Sequence, residues 1–166
     1  ASDVYKSQPV NGLIQLKRDS MCSWIYLDEA SSYAVIIDPF IELADRIETI
    51  IRCQGCEILA ILDTHMHVDH ESPLVELIER FSDLLAPGAR TEDPLGWPIS
   101  TRMVEVGSGE KAPAMVFGND QVIARVELPG HTVVWCVYLL GYAQKEGMVH
   151  ASVGIAVAGG TIRLLR

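Results

Sequence analysis

No apolar run in the 166 residues approaches the length needed to cross a bilayer, and no cluster of Lys or Arg breaks an acidic background. With 13 Lys+Arg against 22 Asp+Glu the formal charge is −9, so the electrostatic footprint of a nucleic-acid binder is missing and an anionic membrane surface is equally disfavoured. Such a field does not draw anionic substrates either, although a bound dication reverses the sign locally. The start, Ala1 to Lys6, has no basic segment followed by an apolar one, so no targeting peptide is expected within it. Cysteine is sparse. Cys22, Cys53, Cys56 and Cys136 are read as free thiols in a reducing compartment, the cytoplasm, because a domain of this size has its own core and needs no disulfide. The Cys53-Gln-Gly-Cys56 pair has no second pair to complete a zinc or redox motif, and a structural role is expected for it. Aspartate is absent from Thr132 to Arg166, which bears on the chemistry below.

What is present is ordinary globular composition, 49% hydrophobic and 21% charged, with no internal repeat and no low-complexity stretch. One domain over 1–166, soluble and of the α/β class, is expected. Gly12 to Lys17, Met21 to Leu27 and Tyr33 to Ile37 read as strands, the last closed by Asp38-Pro39. From Ile41 to Arg52 apolar residues recur at helical spacing, and Gly55 supplies a stop. Ile58 to Leu62 is a continuous apolar strand of the kind covered on both faces.

That strand runs directly into Asp63-Thr-His-Met-His-Val-Asp-His70. His65 and His67 are two apart and face one way in an extended segment, and neutral imidazole is the commonest protein ligand for zinc and iron. Ligand sites favour the C-terminal ends of strands in α/β sheets, where loops converge. Ser72-Pro73 then opens a helix whose buried stripe is Leu74, Leu77, Ile78 and Phe81. The Gly/Pro-rich stretch from Pro87 to Pro98 reads as a loop on the site's side, with Trp97 as a lid or pocket residue or, more plainly, a surface-packing one. Val104 to Val106 is a short strand. Met115 to Phe117 and Gln121 to Leu128 form a hairpin that leads to Pro129-Gly-His131-Thr132 and a strand from Val133 to Leu140.

Taken in order, Cys22-Ser-Trp-Ile-Tyr-Leu, Val35-Ile-Ile-Asp38-Pro39, Thr64-His-Met-His-Val-Asp-His70 and Pro129-Gly-His-Thr132 resemble the metallo-β-lactamase superfamily. The nearest branch is that of the persulfide dioxygenases and hydroxyacylglutathione hydrolases, or glyoxalase II enzymes. The resemblance covers about positions 10 to 140 and implies an αββα sandwich with metal at the sheet edge, here C-terminally abbreviated. In the hydrolases His65, His67 and His131 would correspond to a first zinc site, and Asp69 and His70 to part of a second. In the dioxygenases His65 and His131 would hold one iron, joined by a later carboxylate. Zinc lowers the pKa of its water so that it attacks a thioester carbonyl, whereas ferrous iron leaves positions open for oxygen and a persulfide sulfur.

The departures lie after His131. The family's aspartate is absent from the strand corresponding to Met148 to Val153; the apolar pattern puts Val153 or a neighbour there, and plain counting puts His150 there, as a substitute ligand or a structural strand histidine. Ser72-Pro73 replaces the usual glycine pair, and no distal histidine follows, so a complete dinuclear site is not expected. His65, His67 and His131 remain for one divalent ion, Zn or Fe, with Asp69 as base or orienter and His70 beside it. The substrate implied is a small thiol-derived molecule, a glutathione persulfide or thioester. A degenerate member serving as a binding or assembly module is the other expectation. The short C-terminal part should leave apolar surface around Val153 to Ala158, so a homodimer or other homo-oligomer is expected.

Overall fold

The computed structural model describes residues 4–7, 12–28, 31–64, 72–91, 93–98, 102–106, 110–117, 121–127, 136–142, 148–149, 155–158 and 161–164. Its first sheet has the order β1(Val4–Ser7), β2(Leu13–Arg18), β3(Met21–Asp28), β4(Tyr33–Ile37), β5(Glu57–Leu62). Pairing is antiparallel except between β4 and β5. That parallel pair needs a crossover, and the chain supplies it as a 3-10 turn, Ile41–Leu43, running into α1(Ala44–Gln54). Gly55 ends α1 in the left-handed conformation at φ 65°, where its N–H reaches Arg52 O and that of Cys56 reaches Ile51 O.

The second sheet runs β10(Met148–Val149), β6(Arg102–Val106), β7(Glu110–Phe117), β8(Gln121–Glu127), β9(Cys136–Tyr142), β11(Ile155–Ala158), β12(Thr161–Leu164). All its pairs are antiparallel except β10 with β6. The two sheets face each other over a core of Leu13, Trp24, Tyr26, Val35, Ile37, Ala60 and Leu62 on one side and Met115, Ile123, Tyr138 and Leu140 on the other. The opposite face of the first sheet buries Ile25, Ile36, Ile58 and Ile61 against Ile47 and Ile51 of α1 and Leu74 and Leu77 of α2(Leu74–Arg80). Three layers of the expected αββα arrangement, helices, sheet and sheet, are therefore present among the described residues, in an α/β fold. The outer face of the second sheet carries its own buried cluster, Val104, Ala114, Val122, Ala124 and Leu139.

Alternation explains most of this, since side chains of period two must divide between the two faces of a sheet. The run in β5 breaks that rule, because Ala34 pairs with Ile58 while Val35 pairs with Ala60. Leu59 is the extra residue of a bulge, and it leaves Ile58 and Ile61 both facing the helices. On the surface Arg80 reaches Glu48 at 3.1 Å and Arg52 reaches Asp83 at 2.9 Å, joining the helices by exposed pairs that add little to stability.

One expectation changes. Trp97 is neither a lid nor a surface residue but part of the core between the sheets, at 7% exposure. Ile155–Ala158 is an interior strand paired with β9 and β12.

Candidate metal centre

β5 runs into Asp63 and Thr64, the two residues before the histidine motif, and their backbone groups are all engaged. The Asp63 N–H donates to Leu95 O at 2.9 Å, and its carbonyl accepts from the Tyr138 hydroxyl at 2.7 Å. The Thr64 N–H donates to Asp38 Oδ1 at 2.8 Å, its hydroxyl to Asp38 Oδ2 at 2.8 Å, and its carbonyl accepts the Cys136 N–H at 2.8 Å. Asp38 is itself fixed, its N–H on Leu62 O and its carbonyl accepting from Ser23 Oγ at 2.6 Å. Its φ of +52° is a conformation that aspartate tolerates better than most residues, and Asp38 thus stabilises the strand end, as its sequence position suggested.

The far end of the same segment is tied to the near end. Ser72 Oγ donates to Asp63 Oδ2 at 2.7 Å and accepts the Leu74 N–H at 3.2 Å, so one hydroxyl both meets the buried carboxylate and receives a first-turn amide of α2. The helix starts one residue later than Pro73, with Leu74, Leu77 and Phe81 buried as expected.

Burial governs the protonation of this cluster. It pushes the Asp63 carboxyl from 3.8 up to about 7, against the Ser72 hydrogen bond, which lowers it, with the Asp38 charge adding a smaller upward push. Burial likewise pushes the Cys136 thiol to about 11 and raises the Tyr138 phenol. At neutral pH Cys136 is therefore a thiol rather than the nucleophilic thiolate.

The loop from Asp93 to Trp97 closes over the strand end. Arg125 of β8 meets Asp93 Oδ2 at 3.2 Å, and Asp93 Oδ1 accepts the Leu95 N–H at 2.8 Å. Gly96, at φ +81°, lies so close to β5 that a Cβ there would stand 1.9 Å from Ile61 O. Only glycine permits that approach, and it carries Trp97 inward to stack on Tyr138 with ring centroids 5.9 Å apart and planes 10° from parallel.

The sequence-derived ligands His65, His67, Asp69, His70 and His131 lie outside the described residues, as does His150. What is brought together is their anchorage: Thr64 immediately precedes His65, and Cys136 follows His131 by five positions. Among the described residues no group of three or more His, Cys, Asp or Glu is placed to hold a metal ion. No helix among them is long and apolar enough to cross a membrane. Sequence reasoning missed Asp63 and Tyr138. A carboxylate directly after five apolar residues was the available signal for the first; Tyr138 lay hidden in an ordinary strand pattern.

No family model matches the chain. A hydroxyacylglutathione hydrolase of Hamiltonella defensa is 29% identical over 115 residues, 69% of this chain and 41% of that protein. The mitochondrial persulfide dioxygenase ETHE1 of Mus musculus is 38% identical over 60 residues, 35% of this chain and 24% of that protein. The chain thus spans well under half the length of these relatives. A solved subclass B3 metallo-beta-lactamase of Bradyrhizobium japonicum aligns over 95% of this chain and 59% of its own, at 18% identity and a TM-score of 0.49. On its sequence matches and its Thr64 to His70 and Pro129 to Thr132 motifs, the chain is similar to members of the metallo-β-lactamase superfamily, near the branch of the persulfide dioxygenases and hydroxyacylglutathione hydrolases.

Proposed function

We propose that His65, His67 and His131 bind one divalent metal ion, Zn or Fe, with Asp69 and His70 beside it, and that the site acts on a small thiol-derived substrate. The observation that supports this most directly is the Cys136 N–H to Thr64 carbonyl bond at 2.8 Å, which joins the flanks of the two histidine segments. The donor set fits such an ion, because imidazole and carboxylate suit zinc and ferrous iron alike.

A bound ion would supply either a Lewis acid that sharpens a water for thioester attack or open positions for oxygen and a persulfide sulfur. The protein's own part is positioning and proton handling. Asp69 accepts a proton or orients the group that gives one, and His70 stands next to it in the chain. The anchored strand end fixes where the segment from His65 begins, and Asp63, kept largely protonated below pH 7, keeps a full negative charge out of the core beneath it.

The test is element-resolved metal content of protein purified without chelator, beside His65→Ala. About one zinc or iron per chain, lost in the variant, is expected. Iron with oxygen uptake on glutathione persulfide selects the dioxygenase, and zinc with thioester cleavage selects the hydrolase. One specific observation favours a second reading, a binding or assembly module: Met148 to Val153, the segment corresponding to the family's aspartate-bearing strand, holds no aspartate. Metal-free protein that resists reconstitution and turns over neither substrate would select it.

A further inference from the structure

We infer that Tyr138 is a positioning residue for the metal centre, its hydroxyl setting the separation of the two chain segments that carry the ligands; the inference rests on the function proposed above. β5 and β9 belong to different sheets, so no ladder of hydrogen bonds fixes their distance. Three bonds do so at the strand end: Cys136 N–H to Thr64 O at 2.8 Å, Tyr138 Oη to Asp63 O at 2.7 Å, and a long one from the Cys136 thiol to the same Asp63 O at 3.8 Å. The first is backbone to backbone and survives any side chain. The second depends on one phenol.

That phenol is held with little freedom. Tyr138 is wholly buried, and its ring lies flat against Trp97 at 5.9 Å. Trp97 follows Gly96, whose backbone touches Ile61 O, and the loop is pinned at its start by Arg125 on Asp93. Sheet two therefore holds the ring through Arg125 and the loop, while the ring holds sheet one through Asp63. His65 is two residues beyond Asp63 and His131 is seven before Tyr138, so both ligand segments leave from this junction. Metal–ligand distances tolerate about 0.2 Å, and a junction that relaxes by a few tenths of an ångström is felt by an ion bridging the two segments.

The test compares wild type and Tyr138→Phe for Co2+ binding, by competition with a chromophoric chelator, together with the visible ligand-field spectrum of the bound ion. Wild type is expected to bind one Co2+ per chain. Tyr138→Phe is expected to bind it about tenfold more weakly, with displaced bands, as for other residues that act on a metal through its ligands. Ile47→Val, in the helix-facing core, serves as a control for lost stability and should change neither readout. Wild-type binding with an unaltered Kd and spectrum in Tyr138→Phe overturns the inference and leaves the proposed metal centre standing. Failure of wild type to bind Co2+ overturns both. Should Tyr138→Phe not fold, Trp97→Phe keeps the hydroxyl but thins the stack that aims it. A weakened Kd then supports the inference, and an unchanged one overturns it.

Discussion

Cys136 gives its backbone N–H to the carbonyl of Thr64 at 2.8 Å, joining the first residue of β9 in one sheet to the residue just beyond β5 in the other. Both partners are fully buried, so water cannot replace the bond. A junction of this kind holds two loops to a common origin without contributing a side chain to either, and several expectations rest on what surrounds it.

Replacing Asp38 should separate charge from backbone geometry. Asp38→Ala leaves the buried Thr64 N–H and hydroxyl without their acceptor and puts alanine at φ +52°, a combined loss of about 3–5 kcal/mol. Asp38→Asn keeps one carbonyl oxygen for the Thr64 N–H and tolerates the backbone, so about 1–2 kcal/mol is expected. Urea unfolding in excess chelator measures both, and equal losses would contradict the assignment.

Asp63 should make the metal-free protein less stable as pH rises. Its carboxyl titrates near 3.8 when unfolded and at about 7 when folded, a raised value. The native state is thus not penalised below about pH 4, then loses stability progressively to about pH 7 as only the unfolded chain ionises. The full loss is at most about 4 kcal/mol, from 1.36 kcal/mol per pKa unit. Asp63→Asn should flatten that slope. A parallel slope in the variant would assign it to other groups.

Gly96→Ala should be among the most disruptive single changes outside the histidine motifs. The new methyl meets Ile61 O at 1.9 Å in a left-handed backbone, and relief requires lifting Trp97 from Tyr138. A loss of about 2–4 kcal/mol is expected, with weakened near-ultraviolet dichroism from the displaced indole. A variant with wild-type melting would contradict the close approach.

Gln121 should be nearly dispensable. Its Nε2 reaches Leu27 O at 3.4 Å across the sheets, but its buried Oε1 has no partner among the described residues. Gln121→Leu exchanges a weak bond and a desolvated oxygen for apolar contact, and the change should stay within about 1 kcal/mol by thermal unfolding. A larger loss would mean that the amide is fully satisfied.

Legibility in the sequence followed the range of the forces involved. Tyr33–Ile37 was bounded correctly because its apolar run is cut by Asp38-Pro39, a local signal. The helix after it was also legible, but its first turn is 3-10 rather than α, which apolar spacing cannot distinguish. Val4–Ser7 went unread because four residues paired at a sheet edge carry too little pattern. The histidine motifs were visible as residue types in order. The apparatus around them was not, because Tyr138 meets Asp63 across a sequence separation of 75 residues. Trp97 was misplaced for a related reason: Gly and Pro around it suggested an exposed loop, whereas Gly96 lets that loop lie against the strand.

The bulge at Leu59 gives β5 slack on one side only. Downstream of it, Ala60, Ile61 and Leu62 are matched one to one with Val35, Ile36 and Ile37, and Thr64 is locked to Asp38. Loss of Leu59 would straighten the strand and leave every later residue on its present face. Loss of Ile61 would exchange the faces of the residues before it or drag Thr64 off Asp38. Length changes between α1 and the histidine motif can thus be absorbed upstream of Ala60, whereas beyond it the chain is indexed residue by residue.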